Sequence, residues 1–149
     1  MSSEKQKVLR LDYEQELDFL LIGLLCGLKD FRLCYDLNQN LGLDLFLKND
    51  LVISAGRPGS STRHACFAIV IGGCESYYLL SNRDIENTGC FIPEMRNVDY
   101  FLVISGMARN YDTKTLIEKL RSMKNISGAF LIEPAELKSA ETFLSLLEN

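Results

Sequence analysis

Five consecutive residues, Tyr100-Phe101-Leu102-Val103-Ile104, are apolar, and four of them are aromatic or β-branched. A strand apolar at every position is expected at the centre of a sheet rather than at its rim. Whatever else the chain does, it has to supply neighbouring strands and cover for this one.

The remaining periodicities predict those neighbours. Residues 7–13 alternate loosely and read as a strand. Leu17, Leu20, Leu21, Leu24, Leu25 and Leu28 fall at helical spacing, with Phe19, Ile22 and Cys26 on a second apolar face, which predicts a buried helix over 17–28. Gly23 and Gly27 lie four apart on that helix and would admit a close neighbour. Asp30 is then placed to cap a second helix carrying Phe31, Cys34, Leu37 and Leu41, completing a helical hairpin.

After Gly42 the period changes to two through Leu43, Leu45 and Leu47, followed by Leu51-Val52-Ile53. Residues 56–62 are rich in Gly, Pro and Ser and read as a loop. Residues 65–71 and 77–80, joined by Gly72-Gly73, predict an antiparallel hairpin. Further on, Leu116, Ile117, Leu120 and Met123 define a helix capped by Asp112, residues 129–132 a strand, and Pro134 the first turn of a last helix carrying Leu137, Ala140, Phe143, Leu144 and Leu147. The expected fold is a single α+β domain spanning 1–149. It has a mostly antiparallel sheet with helices on one face, an N-terminal helical hairpin and a C-terminal βαβα unit packed on it.

Composition narrows the function classes. The chain has 149 residues, 47% of them hydrophobic and 24% charged, which suits one soluble core. The first seven residues are polar and lead into no apolar run with a cleavage site, so a cytoplasmic location is expected. The apolar stretch 17–28 is too short to span a bilayer. Five cysteines without a C-x-x-C pair, and one histidine, argue against structural zinc and for reduced cysteines that pack as small hydrophobes. A net charge of −4 argues against broad binding to nucleic acid or to anionic membranes.

The segment leading into the central strand is Ile92-Pro93-Glu94-Met95-Arg96-Asn97-Val98-Asp99-Tyr100. In these residues the chain resembles a family of uncharacterised bacterial proteins named after its own motif, the IPExxxVDY family. The resemblance extends through Leu20-Leu21-Ile22-Gly23, Leu33-Cys34-Tyr35-Asp36-Leu37-Asn38, residues 101–106 and Leu137-Lys138-Ser139. It implies a family and no activity.

Read physically, Pro93 fixes its own φ and pushes Ile92 toward extended geometry, so the chain enters the strand by a stiff path. Strand alternation puts Phe101 and Val103 on one face with Asp99, and Tyr100, Leu102 and Ile104 on the other. Two roles are open for the acids. In a structural role, Glu94 or Asp99 accepts hydrogen bonds from loop amides or pairs with Arg96 or another arginine. In a functional role, Glu94, Asp99 and Tyr100 converge on a ligand.

Other constellations are thin. Arg57, Arg63 and His64 form a possible basic patch near the Gly/Ser loop, and Tyr77-Tyr78 with Phe67 a possible stacking platform for bases. His64 has no nucleophile motif beside it and reads as a surface residue opening a strand. The loop 56–61 lacks the ending of a P-loop, and no dinucleotide fingerprint is present, so no cofactor is expected. The leading expectation is a non-enzymatic module that binds a protein partner or itself, motivated by the doubly apolar segment 17–28. Small-molecule binding or catalysis through Glu94, Asp99 and Tyr100 is the alternative, and RNA contact a weaker one.

Overall fold

In the computed structural model, which describes residues 19–54, 61–73, 75–86, 89–106 and 112–147, the apolar run from Tyr100 is a strand buried on both faces. The elements in chain order are β1 (Phe19–Cys26), α1 (Asp30–Leu41), β2 (Phe46–Leu47), β3 (Leu51–Ser54), β4 (Ser61–His64), β5 (Cys66–Ile71), β6 (Glu75–Ser81), a 3₁₀ turn (Pro93–Met95), β7 (Tyr100–Ser105), α2 (Thr113–Ser122), β8 (Ile126–Ile132), a second 3₁₀ turn (Pro134–Glu136) and α3 (Glu141–Leu147). Six strands form one sheet in the order β2-β5-β6-β7-β1-β8, and β3 pairs with β4 separately. All of these pairings are antiparallel. The fold is therefore α+β with a mostly antiparallel sheet, and β7 stands inside it as its composition requires.

The helix expected over 17–28 is replaced in its described part: from Phe19 to Cys26 the chain is strand β1, paired with β7 on one side and β8 on the other. An apolar run without polar punctuation suits a strand covered on both faces as well as a helix covered all round, and only the two flanking ladders decide between them. Leu20, Ile22 and Leu24 join one core, Phe19 and Leu21 the other. Gly23 has its place for a strand reason. A Cβ there would meet Phe130 Cζ at 2.9 Å and Ile132 Cδ1 at 3.0 Å, so its absence lets the Phe130 ring lie across β1. There is consequently no helical hairpin over 19–41. The strand expected over 7–13 lies outside the described residues.

Helices cover both faces of the sheet rather than one. Leu33 and Leu37 of α1 and Leu116 and Leu120 of α2 pack with Ile22, Leu24, Leu102 and Ile104. On the opposite face, Phe143 and Leu146 of α3 pack with Leu21, Phe101 and Val103, and with Phe91, Ile92 and Val98 from the segment before β7. The strictly apolar composition of β7 and β1 is explained by this double cover.

The C-terminal part follows β7-α2-β8-α3, with β7 and β8 on either side of β1 and therefore parallel to each other. Asp112 caps α2, accepting from Thr115 N at 3.2 Å. Pro134 does not open the last helix. It starts a separate 3₁₀ turn, and α3 begins at Glu141. In the β5–β6 hairpin, Gly72 and Gly73 adopt φ of 64° and 77°, a left-handed geometry that side chains disfavour. Lys29 rather than Asp30 occupies the N-cap of α1, without a side-chain cap.

Candidate functional site

The segment from Ile92 to Tyr100 is built as its sequence predicts at the start: Ile92 is extended (φ −118°, ψ 98°) and Pro93 opens a 3₁₀ turn. What holds it is a residue outside the motif. Asn82 is fully buried, at 0% exposure. Its Nδ2 donates to Met95 O and Val98 O, both at 2.8 Å, and its Oδ1 accepts from Ile92 N at 2.9 Å. Its backbone N–H donates to Asp99 O, and its carbonyl accepts from Phe91 N. One asparagine thus satisfies the turn from both ends.

Glu94 and Asp99 do different things in different places. Glu94 accepts from the backbone N–H and from the hydroxyl of Ser139, each at 2.7 Å, tying the 3₁₀ turn to the residues ahead of α3. Burial works to raise its pKa, but hydrogen bonding from its own main-chain amide, from Ser139 and from the Lys138 amide together outweighs it and the net shift is downward. Asp99 Oδ2 accepts from Cys26 N at 2.9 Å, while Oδ1 faces Arg83 Nε at 3.4 Å. The arginine partner is Arg83; Arg96 sits exposed at the end of the turn. Both carboxylates therefore accept from backbone amides, the geometry of the structural role.

Tyr100 turns to the α1 side of the sheet and donates its hydroxyl to Leu28 O at 2.6 Å. Burial pushes its phenol well above the ordinary range, so it stays protonated. Asp99 and Tyr100 form part of the wall of a cleft of about 380 Å³ at this end of the sheet, whose other walls are the β1–α1 connection, Ala65 and the stretch after β6 that carries Arg83, Asp84 and Ile85. Pro93, Glu94 and Arg96 do not line it. The convergence of Glu94, Asp99 and Tyr100 on one site is not formed.

His64 is not at the surface. It is 0% exposed, its Nδ1 lies 3.0 Å from Ser81 O and its Nε2 2.8 Å from Thr62 Oγ1, and Phe91 meets its ring edge-on at 5.3 Å. A carbonyl only accepts, so Nδ1 carries the proton and Nε2 accepts from the threonine hydroxyl. Burial lowers its pKa, against the opposing pull of the Ser81 carbonyl, and keeps it neutral. His64 closes β4 rather than opening a strand, and with the buried Ala65-Cys66-Phe67 that follows it is drawn inside. The basic patch loses this member; Arg63 is exposed and Arg57 lies outside the described residues.

Arg63 instead acts through its main chain, donating to Asp84 Oδ1 at 2.7 Å and accepting from Ile85 N at 2.9 Å. The β3–β4 ribbon is thereby fastened to the cleft wall. Tyr77, Tyr78 and Phe67 are buried in the two cores and offer no stacking platform. Cys26, Cys34 and Cys66 are buried free thiols, Cys66 pushed up to about 11 by burial.

Among the described residues no three His, Cys, Asp or Glu side chains are grouped to hold a metal, and no helix is long and apolar enough to cross a membrane. No family model matches the chain, and no curated protein is similar to it.

Proposed function

We propose that the chain is a non-enzymatic binding domain that takes a small ligand in the cleft between the β1–α1 connection and the Arg83–Ile85 stretch. The observation that carries this reading is the delivery of Asp99 and Tyr100 into the wall of a cleft of about 380 Å³, a size within the about 300–1,000 Å³ range of small-molecule pockets. The acids and the phenol are committed to backbone partners, which supports binding over proton transfer. Membership of the IPExxxVDY family and a cytosolic location belong to the same proposal, the first resting on the motif and the further segments that resemble the family.

The test uses Gly27, which lines the cleft and where an added Cβ meets nothing within 4 Å. Gly27→Trp has room for its Cβ and sets a bulky side chain at the cleft wall. Thermal shift against a library of cell metabolites is expected to find at least one compound that stabilises the wild type and not Gly27→Trp. Equal stabilisation of both proteins by every hit, or no hit at all, ends the reading.

A second reading, a module that binds a protein partner or itself, no longer has an apolar helix over 19–26 behind it. What supports it now is Phe31 and Tyr35, one turn apart on α1 and 59% and 63% exposed. Sedimentation equilibrium of wild type and of Phe31→Ser/Tyr35→Ser tests its self-associating form. A wild type that remains monomeric at high concentration removes that form.

A further inference from the structure

We propose that the ligand of the cleft is a free α-amino acid and that Arg83 selects its carboxylate. The inference rests on the cleft being a ligand site and goes on to name what fills it.

Arg83 is only half used. Its ion pair with Asp99 runs through Nε alone, at 3.4 Å, with the two side chains 52% and 27% exposed. Asp99 cannot swing to meet it better, because its other oxygen is held by Cys26 N. Asp99 therefore fixes one edge of the guanidinium, and among the described residues the two Nη groups have no acceptor. A planar fork held along one edge, at the wall of a cleft, matches the two oxygens of a carboxylate.

The charge around the fork decides what that carboxylate belongs to. The cleft is lined by two cations, Lys29 and Arg83, and by three carboxylates, Asp30, Asp84 and Asp99. Asp30 and Asp84 each turn one oxygen to a backbone amide, Asp30 to Phe31 N and Asp84 to Arg63 N. A phosphate or dicarboxylate would bring more negative charge into a wall that already carries a surplus of it. A plain amine would suit that surplus and leave the fork empty. A molecule with one carboxylate and one ammonium answers both, and Leu28, Ala65 and Ile85 offer apolar wall for its side chain.

Isothermal titration calorimetry of the full chain with the twenty amino acids, and with the matching carboxylates and amines that lack one of the two charged groups, tests this. At least one amino acid is expected to bind, with each truncated analogue at least tenfold weaker. Arg83→Gln is expected to weaken the amino acid at least tenfold while leaving the unliganded melting curve in place, since the side chain is half exposed. Equal binding by the amine-free carboxylate, or undiminished binding by Arg83→Gln, overturns the proposal. If no amino acid binds while another compound does so in a Gly27→Trp-sensitive way, the amino-acid proposal fails and the cleft reading stands. If nothing is sensitive to Gly27→Trp, both fail.

Discussion

Ile92 donates its backbone N–H to Oδ1 of Asn82, 2.9 Å away and ten residues earlier in the chain. The side-chain amide of Asn82 sends its two hydrogens to Met95 O and Val98 O, so the turn that enters the central strand closes around a side chain as well as through its own main-chain bonds from Met95 N to Ile92 O and from Val98 N to Met95 O. The stiffness that Pro93 lends at one point is thereby extended to the whole crossing.

Asn82→Ala takes their side-chain partner from Ile92 N and Val98 O in a dry interior, while Met95 O loses one of two donors and keeps Val98 N. With about 1–3 kcal/mol for each of the two buried groups left unsatisfied, the expected loss is about 2 kcal/mol or more, read from the urea midpoint at unchanged m. Asn82→Asp keeps the acceptor for Ile92 and points an oxygen at two carbonyls, so it is expected to destabilise as well, more so at pH 7 than at pH 4. A loss below about 1 kcal/mol for the alanine variant would mean that the turn holds itself.

Glu94 and Ser139 join two segments 45 residues apart at an exposed position. Exposed hydrogen bonds of this kind are each worth about 0.5–1.5 kcal/mol, so Glu94→Gln and Ser139→Ala are each expected to cost about 1 kcal/mol, and the double variant little more than either. The carboxyl has its pKa lowered from 4.5 in the folded chain. Its contribution is thus complete above that value and is lost as pH falls below it through the folded pKa. Additive losses in the double variant would show that the two residues act separately.

Gly23 and Gly128 lie on neighbouring strands and make a contrasting pair. An alanine at Gly23 would drive its Cβ against the ring of Phe130 and against Ile132, whereas at Gly128 it would meet chiefly the Cδ1 end of the half-buried Leu25 side chain, at 2.8 Å. Overpacking costs about 1–3 kcal/mol where neighbours are hemmed in. Gly23→Ala is expected in that range and Gly128→Ala below it, by chemical denaturation. The reverse order would show that the Phe130 ring has room to move.

Legibility in the sequence followed how local each cause was. The strand at Tyr100 could be read because its first five residues are all apolar and four of them are aromatic or β-branched. The helix over Thr113–Ser122 could be read because Asp112, three residues ahead of Thr115, is a local cap. The strand at Phe19–Cys26 could not, since helix and strand both accommodate such a run and the choice was made by β7 and β8, about 80 and 107 residues away. At the site, Pro93, Asp99 and Tyr100 were visible as a rigid entry to the strand. The partners Cys26, Leu28 and Arg83 of Asp99 and Tyr100, and the Ser139 that holds Glu94, come from distant parts of the chain, and Asn82 sits in a polar stretch where asparagine ordinarily signals a turn.

His64 supplies the test of how the interior behaves when it must accept charge. Its folded pKa is lowered from 6.5 by burial, so the unfolded chain takes up the proton at a higher pH than the folded one. Stability from this residue is therefore fully present above about pH 6.5 and declines as pH falls toward the folded pKa, with a slope of at most about 1.4 kcal/mol per pH unit for one proton. Protonation puts a second N–H toward Thr62, whose hydroxyl can turn to accept it, so the cost is that of a buried charge, partly offset by Asp84. Urea unfolding at intervals from pH 7.5 to pH 5 is expected to show this decline in the wild type and a flatter profile in His64→Gln. The window lies above that of Glu94, so the two effects separate on one pH axis. Parallel profiles for wild type and His64→Gln would mean that the histidine gains its proton without loss, and that the pocket bounded by Phe91, Thr62 and Ser81 opens to water when it does.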